Sequence, residues 1–223
     1  MLPFPRLLQY GNKKVVSNEY EINLDFSRQA LGDTNIIDYS YKNRLFTKLN
    51  SLEGKIVLDN MLNANVMYFN GAVFSTPLDA SISLNGKNYE FDVMYKRNSA
   101  VNAIQLLYGT GYYPDVTNNI PGFAHQILQY AGNDQYFLQN ASTFVRHFVD
   151  GQLVSDWQRV VYRKVDSNVT ITRYVNGVIA NQSTYTAFEC SNGQSFGVGG
   201  YFKTPTATNF YGYMKYLKLK IIS

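Results

Sequence analysis

One cysteine, two histidines and one tryptophan in 223 residues leave little material for several kinds of chemistry. A lone Cys190 cannot close an intrachain disulfide and reads as a small apolar or surface residue. His125 and His147 are isolated and read as surface or hydrogen-bonded side chains, and with one cysteine beside them they argue against a zinc site built on soft ligands. Charged residues make up only 16%, and 20 Lys and Arg against 16 Asp and Glu give a mild net charge of +4. The positive charges are scattered except in the last strand candidate, so the sequence points to no nucleic-acid surface. No apolar run approaches the length a membrane-spanning helix needs. The opening MLPFPRLLQYGN lacks the continuous apolar core of a secretory signal and carries two prolines, which leads us to expect synthesis in a cytoplasm without export by that route. Nucleophile elbow, phosphate-binding loop, zinc motif, internal repeat and amphipathic helical run are all missing.

What the chain has in quantity is aromatic residues, 15% in all with 19 tyrosines, which suit sheet faces and binding surfaces. The stretch Trp157 to Gln182 reads as a three-stranded antiparallel meander. Its middle run sets Val169, Ile171, Arg173 and Val175 on one face against Thr170, Thr172 and Tyr174 on the other. Asp166-Ser167-Asn168 turns the first hairpin, and Asn176-Gly177 closes the second, since that pair tolerates the positive φ values of a type I′ turn. Further strands are expected at Tyr20–Phe26, Lys55–Leu58, Ala64–Phe69, Ala72–Ser75, Tyr89–Tyr95, Ala103–Tyr108, Gln126–Tyr130, Tyr136–Gln139, Thr143–Val149, Ser195–Gly199 and Tyr213–Ile222. The last alternates Tyr213, Lys215, Leu217, Leu219 and Ile221 with Met214, Tyr216, Lys218, Lys220 and Ile222, its lysines suiting an exposed face or a guarded edge. Residues 41–49 are expected to form a short helix or an irregular turn. Many short strands with Gly, Asn and Pro turns imply an all-β, two-sheet antiparallel sandwich.

Residues 1 to about 18 read as an extended arm, because Pro3 and Pro5 disfavour helix. Leu2, Phe4, Leu7, Leu8 and Tyr10 are too apolar for a free tail, so the arm either packs on its own domain or anchors the protein to a neighbouring subunit. We therefore divide the chain into an arm and attachment segment, 1–54, and a β-domain, 55–223.

Several local patterns in that domain occur in a family order. Val66–Gly71 followed by Val73–Pro77 is similar to an opening hairpin. Tyr89–Arg97 resembles the strand usually written phenylalanine, aliphatic, tryptophan, basic. Asp156-Trp157-Gln158-Arg159-Val160 looks like the strand opening on a tryptophan, whose position in the family is core. Arg173–Val178, Phe196–Gly200 and Phe210–Met214 match the later pieces. Over roughly residues 55–222 the chain resembles the concanavalin A-like jelly rolls, and among them the laminin-G-like domains. The resemblance implies a two-sheet jelly roll, and the extended arm, outside the match, precedes it. That order is similar to bacteriophage virion proteins of tails and capsid decorations.

The resemblance implies work through surfaces: assembly or decoration on a virion, with adhesion to a glycan or host surface. The expected partners are other virion proteins gripped by the arm and copies of the same chain in a homo-oligomer, with no membrane and no nucleic acid. Tyr112, Tyr113, Asn118 and Asn119 are the candidate sugar contacts, aromatic faces to stack on a ring and amides to read hydroxyls. Calcium is a candidate ion, with Asp79, Asp115 and Asp156 as its oxygen ligands, although carboxylates are sparse. Two alternatives remain. One is a free lectin module. The other is a glycan-degrading enzyme of concanavalin-like fold using Glu90 and Asp92, which share a strand face. The second glutamate of the glucanase signature is missing, however: Met94, Tyr95 and Lys96 follow.

Overall fold

The computed structural model describes residues 19–79, 82–98, 104–111, 122–127, 134–140, 143–150, 156–190, 195–201 and 208–222. The five apolar arm residues expected to anchor the chain, Leu2, Phe4, Leu7, Leu8 and Tyr10, lie outside them. Among the described residues the strands are β1 (Ile22–Asp25), β2 (Thr47–Lys48), β3 (Glu53–Asp59), β4 (Ala64–Asn70), β5 (Phe74–Pro77), β6 (Asn88–Arg97), β7 (Gln105–Gly109) and β8 (Gly122–Ile127). They continue with β9 (Asp134–Gln139), β10 (Phe144–Val149), β11 (Gln158–Val165), β12 (Asn168–Val175), β13 (Val178–Thr186), β14 (Ser195–Val198) and β15 (Tyr211–Ile222). The one helical element described is a 3-10 turn, Phe26–Arg28, capped by Asp25.

These strands form two antiparallel sheets, the jelly-roll sandwich expected. The larger runs β13-β12-β11-β6-β15-β4-β3, with β1 added along β15; the smaller runs β10-β9-β8-β7-β14-β5-β2. β1 sets Ile22–Asp25 against Leu219–Tyr216, and β2 sets Thr47 and Lys48 against Ser75 and Phe74, so residues 22–48 contribute one strand to each sheet. The boundary drawn between residues 54 and 55 falls inside β3.

The central meander folds as its pattern dictates. Val169, Ile171 and Arg173 turn inward while Thr170, Thr172 and Tyr174 stay partly exposed. Asn176 and Gly177 have φ of 52° and 80°, which meets the backbone demand of a type I′ turn. In β6 the inward Tyr89, Phe91, Val93 and Tyr95 are buried, and Glu90, Asp92 and Met94 alternate outward.

Three expectations need correction. The strict alternation in β15 breaks at a bulge between Met214 and Tyr216, so Met214, Leu217 and Leu219 are buried together and Lys215 is the extra residue. The strand expected at 126–130 is observed at Gly122–Ile127; β7, β8 and β9 are buried on both faces, which removes the period-two signal. The strand at 72–75 is displaced to Phe74–Pro77. Of the two forms expected for residues 41–49, the irregular turn is the one observed, with β2 near its end.

Rings fill the space between the sheets. Phe123 of the small sheet lies 4.7 Å from Phe91 and 5.4 Å from Tyr162 of the large one, and 5.6 Å from Tyr136. Some polar groups in the core are held in partnership. Tyr95 donates to Asp134 Oδ1 at 2.6 Å, and His125 Nε2 lies 2.7 Å from the same oxygen. Cys190 packs in this core, and burial pushes its thiol up to about 12, so the apolar reading of that residue holds. His147 stacks on Tyr185 at 4.5 Å with Nδ1 3.1 Å from the Tyr162 hydroxyl, and burial pushes its pKa down to about 4.

Two outcomes follow for stability. Phe123→Ala should cost about 3–5 kcal/mol in denaturant melts, the range for deleting a fully buried ring. His147 stays neutral in the fold until pH falls to about 4, whereas the unfolded chain protonates near its ordinary 6.5. Between those values the unfolded state binds more protons, so stability falls as pH is lowered. Thermal melts should show that fall, and His147→Gln should remove its contribution.

Candidate functional site

The residues singled out from sequence do not converge. Tyr112, Tyr113, Asn118, Asn119 and Asp115 lie outside the described residues. Asp79 accepts from Arg44 Nη2 at 3.1 Å through Oδ2 and from the Ile82 N–H at 3.3 Å through Oδ1, so its carboxylate ties a loop together. Asp156 stands just ahead of β11, partly buried. Among the described residues no three His, Cys, Asp or Glu side chains are grouped to hold a metal ion.

The carboxylates of the hydrolase alternative are engaged elsewhere. Asp92 takes both arms of a fork from Arg159, Nε at 2.9 Å and Nη2 at 2.8 Å, and accepts from the Tyr216 hydroxyl at 3.2 Å. Glu90 lies 3.8 Å from Arg163 Nε. The His125–Asp134 pair has the spacing of a base and its orienting acid, but both side chains are fully buried between the sheets, out of a substrate's reach.

An open concavity lies on the outer face of the large sheet, built by register. Arg159 sits across from Met94 on one side and Tyr174 on the other. The next rows are Asp92, Val161, Thr172 and Gln182, then Glu90, Arg163, Thr170 and Thr184. Two hollows share Arg159 and Tyr174, so they form one groove. The first, about 460 Å³, is apolar: Met61 and Leu62 from the β3–β4 turn face Met94, Trp157 and the Asn176-Gly177 turn. The second, about 480 Å³, is lined by threonines, Asn168, Gln182, Glu90 and Arg163. Each is of the size that small-molecule sites take. The Arg159 guanidinium lies 5.1 Å over the Tyr174 ring, fixing that ring in the groove wall, and its hydrogen bonds to Asp92 hold it firmly charged.

Trp157 is buried, as expected of a core residue, yet its place differs. It shares strand parity with outward-facing Arg159 and lines the apolar hollow, beneath the groove and outside the inter-sheet clusters. Among the described residues its indole N–H finds no acceptor. The sequence signal for the groove was the outward row Thr170, Thr172, Tyr174. The opposite wall could not be read, because Met61 and Leu62 arrive from a distant hairpin.

A scan against protein-family models and a search of curated proteins each return no match for this chain. Solved structures do resemble it. The likeness is one of fold. Domain 4 of AbnA, a GH43 extracellular arabinanase from Geobacillus stearothermophilus, solved with arabinotriose, has a TM-score of 0.58 at 16% identity, over 92% of this chain and 94% of that one. The botulinum neurotoxin serotype D binding domain gives 0.60 at 12% identity over 92% of this chain and 49% of its own, so the chain spans about half its length. The CBM40 of a Ruminococcus gnavus sialidase, bound to α2,3 sialyllactose, gives 0.50 at 19% over 65% and 81%. These neighbours are all-β sandwiches, and two of the three carry an oligosaccharide.

Cutting the fork that braces the groove should register in stability. Arg159→Ala should cost about 1 kcal/mol in a urea melt, the upper end for a partly exposed ion pair, because the bond is bidentate.

Proposed function

We propose that this chain is a non-enzymatic, lectin-like module that holds a glycan in the groove on its large sheet and serves a phage virion as an adhesion or decoration protein. The observation that carries the glycan reading is the shared wall of Arg159 and Tyr174, where an apolar, ring-lined hollow meets a bed of hydroxyl and amide side chains. A sugar offers the matching pair of surfaces: a C–H face for Tyr174 and Met94, and hydroxyls for Thr170, Thr172, Asn168 and Gln182. Bound oligosaccharides in two fold neighbours support the reading.

The virion part rests on the order of the chain, a greasy Pro-containing arm ahead of one sandwich. In this reading the protein is made in the host cytoplasm and built into the particle as a homo-oligomer, with Leu2, Phe4, Leu7, Leu8 and Tyr10 seated in a neighbouring virion protein.

An array of neutral and sialylated oligosaccharides tests the groove. The wild-type chain should hold at least one class at micromolar to millimolar strength, and Tyr174→Ala should weaken it at least about tenfold, the loss expected of a central aromatic anchor. Binding that ignores the Tyr174 change, or none at all, would sink the glycan reading. For the arm, Leu7→Asp with Leu8→Asp should leave glycan binding intact and prevent incorporation into particles; normal incorporation would overturn the anchor.

A further inference from the structure

The charges of the groove narrow its ligand, an inference that rests on the glycan reading above. Two guanidinium groups and two carboxylates line or brace it, and they are already matched. Arg159 gives both arms of its fork to Asp92, at 2.9 and 2.8 Å, and Arg163 stands 3.8 Å from Glu90. The two pairs span three successive rows of β6 and β11, so these four groups cancel in sum, while Lys218 and Lys220 of β15 stand across from Asp92 and Glu90 on the far side of β6. A sugar acid is captured most firmly by an arginine whose fork is open to its carboxylate. Here the Arg159 fork is closed, and a ligand carboxylate would approach Asp92 and Glu90 as well, where like charges repel.

Beyond these charges, the groove offers uncharged groups. Thr170, Thr172, Asn168 and Gln182 can donate and accept toward hydroxyls, and Tyr174, Met94, Met61 and Leu62 offer apolar surface. Because the two hollows meet at Arg159 and Tyr174, the occupant is longer than one ring. We infer that the ligand is a neutral oligosaccharide laid across β6, β11 and β12, and that Asp92, which closes the Arg159 fork, is the main specificity-setting residue that turns acidic glycans away, with Glu90 beside Arg163 adding like-charge repulsion.

The test compares sialyllactose with neutral trisaccharides, arabinotriose and maltotriose among them, by titration calorimetry on the full chain. The wild type should prefer a neutral probe over sialyllactose by at least about tenfold, the effect of roughly one unfavourable charge contact. Asp92→Asn frees the Arg159 fork without changing side-chain shape, and the ratio of sialyllactose to neutral binding should rise at least about tenfold on the same grounds. Glu90→Gln should move the ratio the same way by less, since Arg163 is held more loosely; melts of both variants confirm that they fold. A wild type that takes sialyllactose as well as the neutral probes, with Tyr174→Ala abolishing both, would overturn this inference and leave the groove reading standing. An unmoved ratio in Asp92→Asn would overturn it too. If no probe binds, the groove reading and this inference fall together.

Discussion

One ring from the small sheet bridges the sandwich. Phe123 meets Phe91 and Tyr162 across the gap and Tyr136 beside it, and Tyr89 closes the ring of neighbours at 6.2 Å. Aromatic side chains bury large areas and interlock by edge and face, so this layer sets both the spacing of the sheets and the strand rows that face inward. Once Tyr89, Phe91, Val93 and Tyr95 are committed to that layer, Glu90, Asp92 and Met94 can only point out. The floor of the groove is thus fixed from the opposite side of the same strand.

The core tolerates polar groups where they lock the two sheets in register. Asp134 of the small sheet takes the Tyr95 hydroxyl of the large one and the His125 ring of its own. Arg173, buried and inward on β12, approaches the same carboxylate at 3.9 Å and donates to Gln158. A charge held this way is costly to strand without its partners, so the group favours one alignment of the sheets over sliding alternatives. At the open side, the Tyr185 hydroxyl of β13 donates to the Phe148 carbonyl at 2.7 Å and accepts the Phe148 N–H at 3.0 Å, tying the edge of the large sheet to that of the small one.

Much of this was legible before any coordinates. Period-two alternation in β6 and β12 sorted the residues into two faces, with Arg173 on the face of Val169 and Ile171, and Asn176-Gly177 located its turn. Legibility failed where the alternation signal disappears physically. β8 and β9 are buried on both faces, and β15 carries a bulge at Lys215 that shifts the phase of everything after it. The site was half visible. Thr170, Thr172 and Tyr174 could be placed on one outward face, but the Arg159–Asp92 fork joins residues 67 apart in the chain, and the β3–β4 turn that walls the apolar end comes from further away. Such pairings depend on sheet order, which local sequence does not encode. Trp157 illustrates the limit well: its burial was foreseeable, but the side of the sheet on which it is buried was not.

The separation of inward and outward rows also has an evolutionary meaning. Thr170, Thr172 and Gln182 touch the groove and contribute nothing to the aromatic layer behind them. Substitutions there alter the lining of the groove while the scaffold is inherited intact, much as interchangeable type is set in a fixed frame. The outer face can be redrawn one strand position at a time, with folding left as the invariant.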